Sequence, residues 1–130
     1  MRNLSPILIL GALLAAAPAV ASQQSDSDAE LQKLLEGRVA GKPVNCLNLT
    51  ETRNSQIVEG KAIVYGTGKT IYVNVPRSGA DSLRDDDIMV TRPFGSQLCS
   101  VDSVRFVDRA GGFPRGFAVL GEFVPYTRTK

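Results

Sequence analysis

Lys61-Ala62-Ile63-Val64-Tyr65, then Gly66-Thr67-Gly68, then Lys69-Thr70-Ile71-Tyr72-Val73-Asn74-Val75, is the stretch that decides how this chain folds. Both arms are rich in Val, Ile and Tyr, a glycine-containing turn joins them, and Pro76 stops the second. That combination predicts a β-hairpin, because β-branched and aromatic residues suit a pleated, half-buried surface and glycine suits the tight reversal between strands. The tail of the turn, Gly68-Lys69-Thr70, resembles the end of a phosphate-binding loop. A P-loop, however, needs a glycine where Ile63 stands and a helix afterwards to aim its N-terminus at the phosphate. The next residues instead alternate as Ile71, Val73 and Val75, so the segment reads as a hairpin turn and not as a nucleotide site.

Val44 to Leu49 and Ser55 to Val58 precede the hairpin as strand candidates. Ile88 to Thr91, Val101 to Asp108 and Phe117 to Val124 come after it, beyond a polar connection from Arg77 to Asp87. Val104 and Phe106, with Val101 and Val107 beside them, are expected in the core. Arg105 and Asp108 belong on the wet side or at an end, and Gly111-Gly112 marks the turn into the last strand. Short strands at this spacing predict a mainly β chain, a small antiparallel barrel or a strongly curved sheet. One helix is expected ahead of it. Ser27 with Glu30 three residues later fits a capping box, Leu31, Leu34 and Leu35 share one face, and Gly37 comes next as a stop. Its leucine stripe needs an apolar surface to cover, and the core of the β domain is the nearest one.

The first two dozen residues differ in composition from the rest. Arg2 is followed by an uncharged apolar run from Ile7 to Ala17, then by Pro18-Ala19-Val20-Ala21, the small-residue pattern of a signal peptidase site. We expect a signal peptide over residues 1 to 21, a polar, flexible leader over 22 to 28, and a single β-rich domain over 29 to 130. Pro6, Pro18 and the polar Ser22-Gln23-Gln24-Ser25 argue against an uncleaved membrane anchor. Cys46 and Cys99, the two cysteines of the chain, both fall in the exported part. In an oxidising compartment such a pair is expected to form a disulfide ahead of free thiols or an intermolecular bridge. The loop closed would be about 54 residues, worth on the order of 4 kcal/mol before any native strain is subtracted.

Composition narrows the chemistry. The 130-residue chain has no His and no Trp, and 15 Lys+Arg against 13 Asp+Glu. Without His there is no Ser/His/Asp or Cys/His couple and no imidazole metal ligand, and a nearly neutral chain has no charge footprint for nucleic acid. Asp85-Asp86-Asp87, with Asp81 nearby, is the densest acidic cluster. Its spacing does not fit an EF-hand, and it reads as a solvated turn answered by Arg84 or Arg92 rather than as a cation site. No second acidic cluster faces it across a cleft, as glycoside hydrolysis would require. Arg77, Arg84, Arg92, Arg105, Arg109, Arg115 and Arg128 read first as a soluble surface and second as an anion or carboxylate site. No metal site and no cofactor is expected.

Cys46, the Tyr72-Val73-Asn74 strand, Gly95-Ser96-Gln97-Leu98-Cys99-Ser100-Val101-Asp102 and the terminal Leu120-Gly121-Glu122-Phe123-Val124-Pro125 together resemble a family of small exported proteobacterial proteins classed as a domain of unknown function. The resemblance covers most of the chain after the first Cys, and Gly-x-x-Leu-Cys-x-x-Asp is its most specific part. Val101 departs from it, standing where the family pattern has the Gly of Cys-x-Gly-Asp, the residue best suited to a positive φ in a tight turn. The resemblance implies a Gram-negative envelope location and no particular activity. The expectation is therefore a periplasmic or secreted, non-enzymatic binding or interaction module, holding an envelope protein or a small ligand, with no membrane span after signal cleavage. The competing reading is a small His-free hydrolase or lyase working through Asp, Tyr and Arg. Arg92, Gln97 and Asp102, which flank Cys99 and its staple, are the candidate binding residues.

Overall fold

A computed structural model describes residues 20 to 129, with side chains from residue 26 onward. Apart from its last two residues, the expected signal peptide lies outside the described residues. The described part is mainly β. One helix, α1 (Val20–Leu35), is followed by β1 (Arg38–Ala40), β2 (Cys46–Asn48), β3 (Ser55–Val58), β4 (Ala62–Tyr65) and β5 (Thr70–Asn74). A short 3-10 turn (Ala80–Ser82) then leads to β6 (Ile88–Thr91), β7 (Gln97–Cys99), β8 (Ser103–Val107), β9 (Pro114–Val119) and β10 (Phe123–Arg128). Among the described residues these strands form a five-stranded sheet in the order β1-β10-β5-β4-β3, a two-stranded ribbon β2-β7 and a three-stranded sheet β6-β8-β9. All pairings are antiparallel. The sheets do not close into a barrel, so of the two expected forms the open one is found.

The hairpin forms as its alternation predicts. Ala62 and Val64 on β4, with Ile71 and Val73 on β5 and Val58 on β3, make one buried face, and Leu31, Leu34, Leu35 and Tyr126 pack on it. Ile63 and Tyr65 point the other way and join Leu47, Leu98, Val104, Phe106 and Phe123 in a second core layer. Every residue of β4 is therefore buried, which is what a central strand covered on both sides requires. The helix is the lid its leucine stripe predicts, tied down by Gln56 Nε2 donating to Glu30 Oε1 at 2.9 Å and by the Lys61–Asp28 ion pair. It ends before Gly37, whose φ of 73° gives the left-handed turn common after a helix.

Two sequence expectations change. The helix starts at Val20, so it runs through residues 22 to 28, and Ser27 is a buried residue within it instead of its cap. Phe117 to Val124 is not one strand. It divides at Leu120-Gly121-Glu122 into the end of β9 and the start of β10, and the chain crosses there from the three-stranded to the five-stranded sheet. Gly111-Gly112 accordingly turns into β9, the penultimate strand. Val104 and Phe106 are fully buried, while Val101 is 77% exposed on a turn. That turn is tight even without glycine: the Asp102 amide donates to the Cys99 carbonyl at 3.0 Å, and among the described residues no non-glycine residue has a positive φ.

The Cys46–Cys99 disulfide is formed, between residues directly opposite each other on β2 and β7. Ser100 donates to the Asn45 carbonyl and Leu49 to the Ser96 carbonyl, on either side of the cysteine pair in the same register. Cys46 and Cys99 therefore occupy a non-hydrogen-bonded site. That is where antiparallel strands approach most closely, and their Cα atoms are 4.0 Å apart.

Candidate functional site

The residues expected to bind around the staple turn out to be dispersed in role. Asp102 is spent on structure: its Oδ2 accepts the Cys99 amide at 2.7 Å, and its carbonyl accepts the Leu120 amide at 3.0 Å. Gln97 is exposed on β7 opposite Asn48, and Arg92 is exposed just beyond β6. None of the three lines any of the three clefts described below.

A cationic cleft of about 600 Å³ lies between the end of α1, the β4–β5 turn and the outer strands of the large sheet. Its charged lining consists of Lys33, Arg38, Arg53 and Arg128. Asn54, Gln56 and Thr67 add neutral donors, and Leu34, Val64 and Ile71 form an apolar floor. Each cation has a separate structural origin. Lys33 is in the last turn of α1, where the helix dipole favours a positive charge. Arg53 comes from the polar turn before β3. Arg38 and Arg128 are direct cross-strand partners on β1 and β10.

Arg38 is fixed by the backbone it spans. Its Nη1 donates to the Lys69 carbonyl at 2.8 Å and the Tyr126 carbonyl at 3.4 Å, and its Nη2 donates to the Gly68 carbonyl at 2.8 Å. Burial, and then the neighbouring Arg128 charge, lower the Arg38 pKa from its ordinary value. Among the described residues no carboxylate oxygen lies within 4.0 Å of any of the four cationic groups; the ion pairs found are Lys61–Asp28 and Arg115–Asp87.

A second, shallower groove of about 790 Å³ adjoins the first, with Ser55 and Gln56 lining both. Its charges are mainly acidic: Glu30, Asp85 and Asp87, with Arg109. The acidic turn is answered by neither Arg84 nor Arg92. Asp85 and Asp86 are exposed, Asp87 is buried, and the Nε of Arg115 stands 3.4 Å from Asp87 Oδ1 without hydrogen-bond geometry. Among the described residues no group of three or more acids and cysteines is arranged to hold a metal ion. A third cleft of about 400 Å³ opens between the sheets beside Tyr65, Met89 and Leu98. The Tyr65 hydroxyl is buried there with no hydrogen-bond partner among the described residues, and burial raises its pKa.

Sequence reasoning reached Arg128 as one of many surface arginines and passed over Lys33, Arg38 and Arg53. The available signal was weak: a cation on the polar side of the helix, one directly after the helix stop, one in a turn. Only the β1–β10 pairing brings residues 38 and 128 together. No family model matches the chain, and neither does any curated protein or solved structure.

Proposed function

We propose that the protein is an exported, non-enzymatic binding module of a Gram-negative cell envelope, and that the cationic cleft is its binding site. One observation carries the reading. The cleft presents fixed cations, amides and a hydroxyl above an apolar floor, a set suited to holding and orienting a ligand, and among the described residues its lining includes no carboxylate or phenol to work as a general base. The export half of the proposal draws support from the disulfide, which persists in oxidising compartments, and from the resemblance to small exported proteobacterial proteins. Among the described residues no helix is long and apolar enough to cross a membrane.

Intact mass of the native protein, measured under gentle and then denaturing conditions, tests both halves. A chain beginning at Ser22, with a discrete mass excess that denaturation strips away unchanged, is the expected result. A chain beginning at Met1 overturns the export assignment. Conversion of the released ligand into a product on reincubation with the protein overturns the non-enzymatic one, in favour of Asp, Tyr and Arg chemistry.

A further inference from the structure

We infer that the cationic cleft takes a compact, doubly charged phosphate ester, its phosphate at the Arg38–Arg128 pair and its esterified group on the floor of Leu34, Val64 and Ile71. The inference rests on the binding-module reading and gives its ligand a chemical class.

Arg38 and Arg128 form a like-charge pair in register across β1 and β10, an arrangement that destabilises a sheet unless something offsets it. Lys33 and Arg53 line the same cleft, so among the described residues its lining carries four positive charges and no negative one. Surface cations normally mix with acids, and here the mixing is absent on one side of a boundary and reversed on the other. Glu30, Asp85 and Asp87 lie in the adjoining groove, beyond the Ser55 and Gln56 wall.

That partition defines the ligand. A monocarboxylate would offset one charge of four, whereas a phosphate monoester brings close to two negative charges and three terminal oxygens that accept from several donors at once. Guanidinium forks match those oxygens, and Arg38 is already held in place by the Gly68 and Lys69 carbonyls. Three of its five N–H groups are used in backbone contacts, which leaves two for a ligand. A long polyanion is disfavoured, because it would run from the cationic cleft into the acidic groove. A small phosphate ester fits within the cationic side, and the apolar floor accommodates a hydrophobic substituent.

The test uses the full protein and titration calorimetry with phenyl phosphate, benzoate and phenol. Saturable binding of phenyl phosphate, weaker binding of benzoate and none of phenol is expected. Arg53→Glu and Arg128→Glu should each weaken phenyl phosphate binding about tenfold or more, as loss of a charge-assisted contact implies. Arg77→Glu and Arg105→Glu, outside the cleft, should leave it within about twofold after screening is matched. Should either charge reversal fail to fold, Lys33→Gln and Arg53→Gln replace it, and amide shifts of Gly66, Thr67 and Gly68 in the unmodified protein locate the ligand independently.

Vesicles of phosphatidic acid in phosphatidylcholine separate the sources of the phosphate. Co-sedimentation sensitive to the same reversals assigns it to a lipid headgroup, and capture of the soluble ester alone assigns it to a small molecule. Absence of both, or binding indifferent to Arg53 and Arg128, overturns the inference. A retained ligand that carries no anionic group would overturn it too while leaving the binding-module reading intact, whereas turnover of the ligand would strike that reading itself.

Discussion

The side-chain amide of Asn74 stands in for a neighbouring strand at Gly121: its Nδ2 donates to the Gly121 carbonyl at 2.8 Å and its Oδ1 accepts the Gly121 amide at 2.9 Å. Both residues are buried, at the point where the chain leaves the three-stranded sheet for the five-stranded one. A backbone crossing between sheets loses its ladder partners on both sides, and buried peptide groups must be paired. One amide side chain satisfies both groups of the crossing residue.

Replacing Asn74 by Ala or Leu therefore leaves two buried backbone groups unpaired, and should cost about 2–4 kcal/mol in urea unfolding. Gly121→Ala should also destabilise for a different reason. A Cβ there would sit 2.3 Å from the Val75 carbonyl oxygen, so backbone must move. If Asn74→Ala shifts the urea midpoint negligibly, water has replaced the amide and the crossing is not held as described.

This crossing also shows how far the sequence could be read. The hairpin from Lys61 to Val75 was legible because alternation and a glycine turn are local signals, and the disulfide was legible from a count of two cysteines in a chain expected to be exported. The division at Gly121 was not, because Phe117 to Val124 is apolar almost throughout and only the distant Asn74 makes the glycine a crossing point. The short strands β1 and β7 were missed for a similar reason: each has three residues, too few to establish a period. The cationic cleft is less legible still, being assembled from α1, the turn before β3, and two strands whose paired arginines lie at opposite ends of the domain sequence.

The disulfide joins the ribbon that carries Leu47 and Leu98 into the main core. Its reduction, or replacement of Cys46 and Cys99 by Ser together, should lower unfolding free energy by about 2–5 kcal/mol. Far-UV spectra and urea midpoints in the presence and absence of reductant measure it. An unchanged midpoint would mean that the β2–β7 ribbon is held by its leucines alone.

Acid should open the β8–β9 loop before the rest of the fold. Asp108 Oδ1 accepts the Gly111 amide at 2.5 Å and Oδ2 the Phe113 amide at 3.1 Å. The Gly111 hydrogen bond most of all, helped by Phe113, the Arg115 charge and Gly112, lowers the Asp108 pKa against an opposing effect of desolvation. A carboxyl lowered on folding stabilises the native state fully above its unfolded value, about 3.9, and loses that contribution as pH falls through the lowered folded value. Protection of the Gly111 and Phe113 amides, taken relative to the intrinsic exchange rate at each pH, should accordingly hold above about pH 4 and fall below it. In Asp108→Ala it should be low throughout, and equal protection in that variant would assign the loop's order to its backbone bonds instead.

Tyr65 supplies the opposite case, a polar group whose removal should help. Its hydroxyl is buried with no partner among the described residues, while its ring packs edge-on to Phe123 with centroids 5.7 Å apart. Tyr65→Phe keeps the ring contact and removes the unpaired group, so stability should be unchanged or rise by up to about 1 kcal/mol. The same burial raises the phenol pKa, which fixes the sign of the effect at alkaline pH. The unfolded chain begins to release this proton near pH 10 while the folded chain retains it, so stability falls as pH rises above about 10 and is lost progressively toward the folded value. Tyr65→Phe should flatten that decline in urea midpoints measured from about pH 8 to about pH 11. A variant that loses stability at neutral pH and keeps the alkaline decline would show that the Tyr65 hydroxyl is hydrogen-bonded in solution, through water in the cleft it lines with Met89 and Leu98.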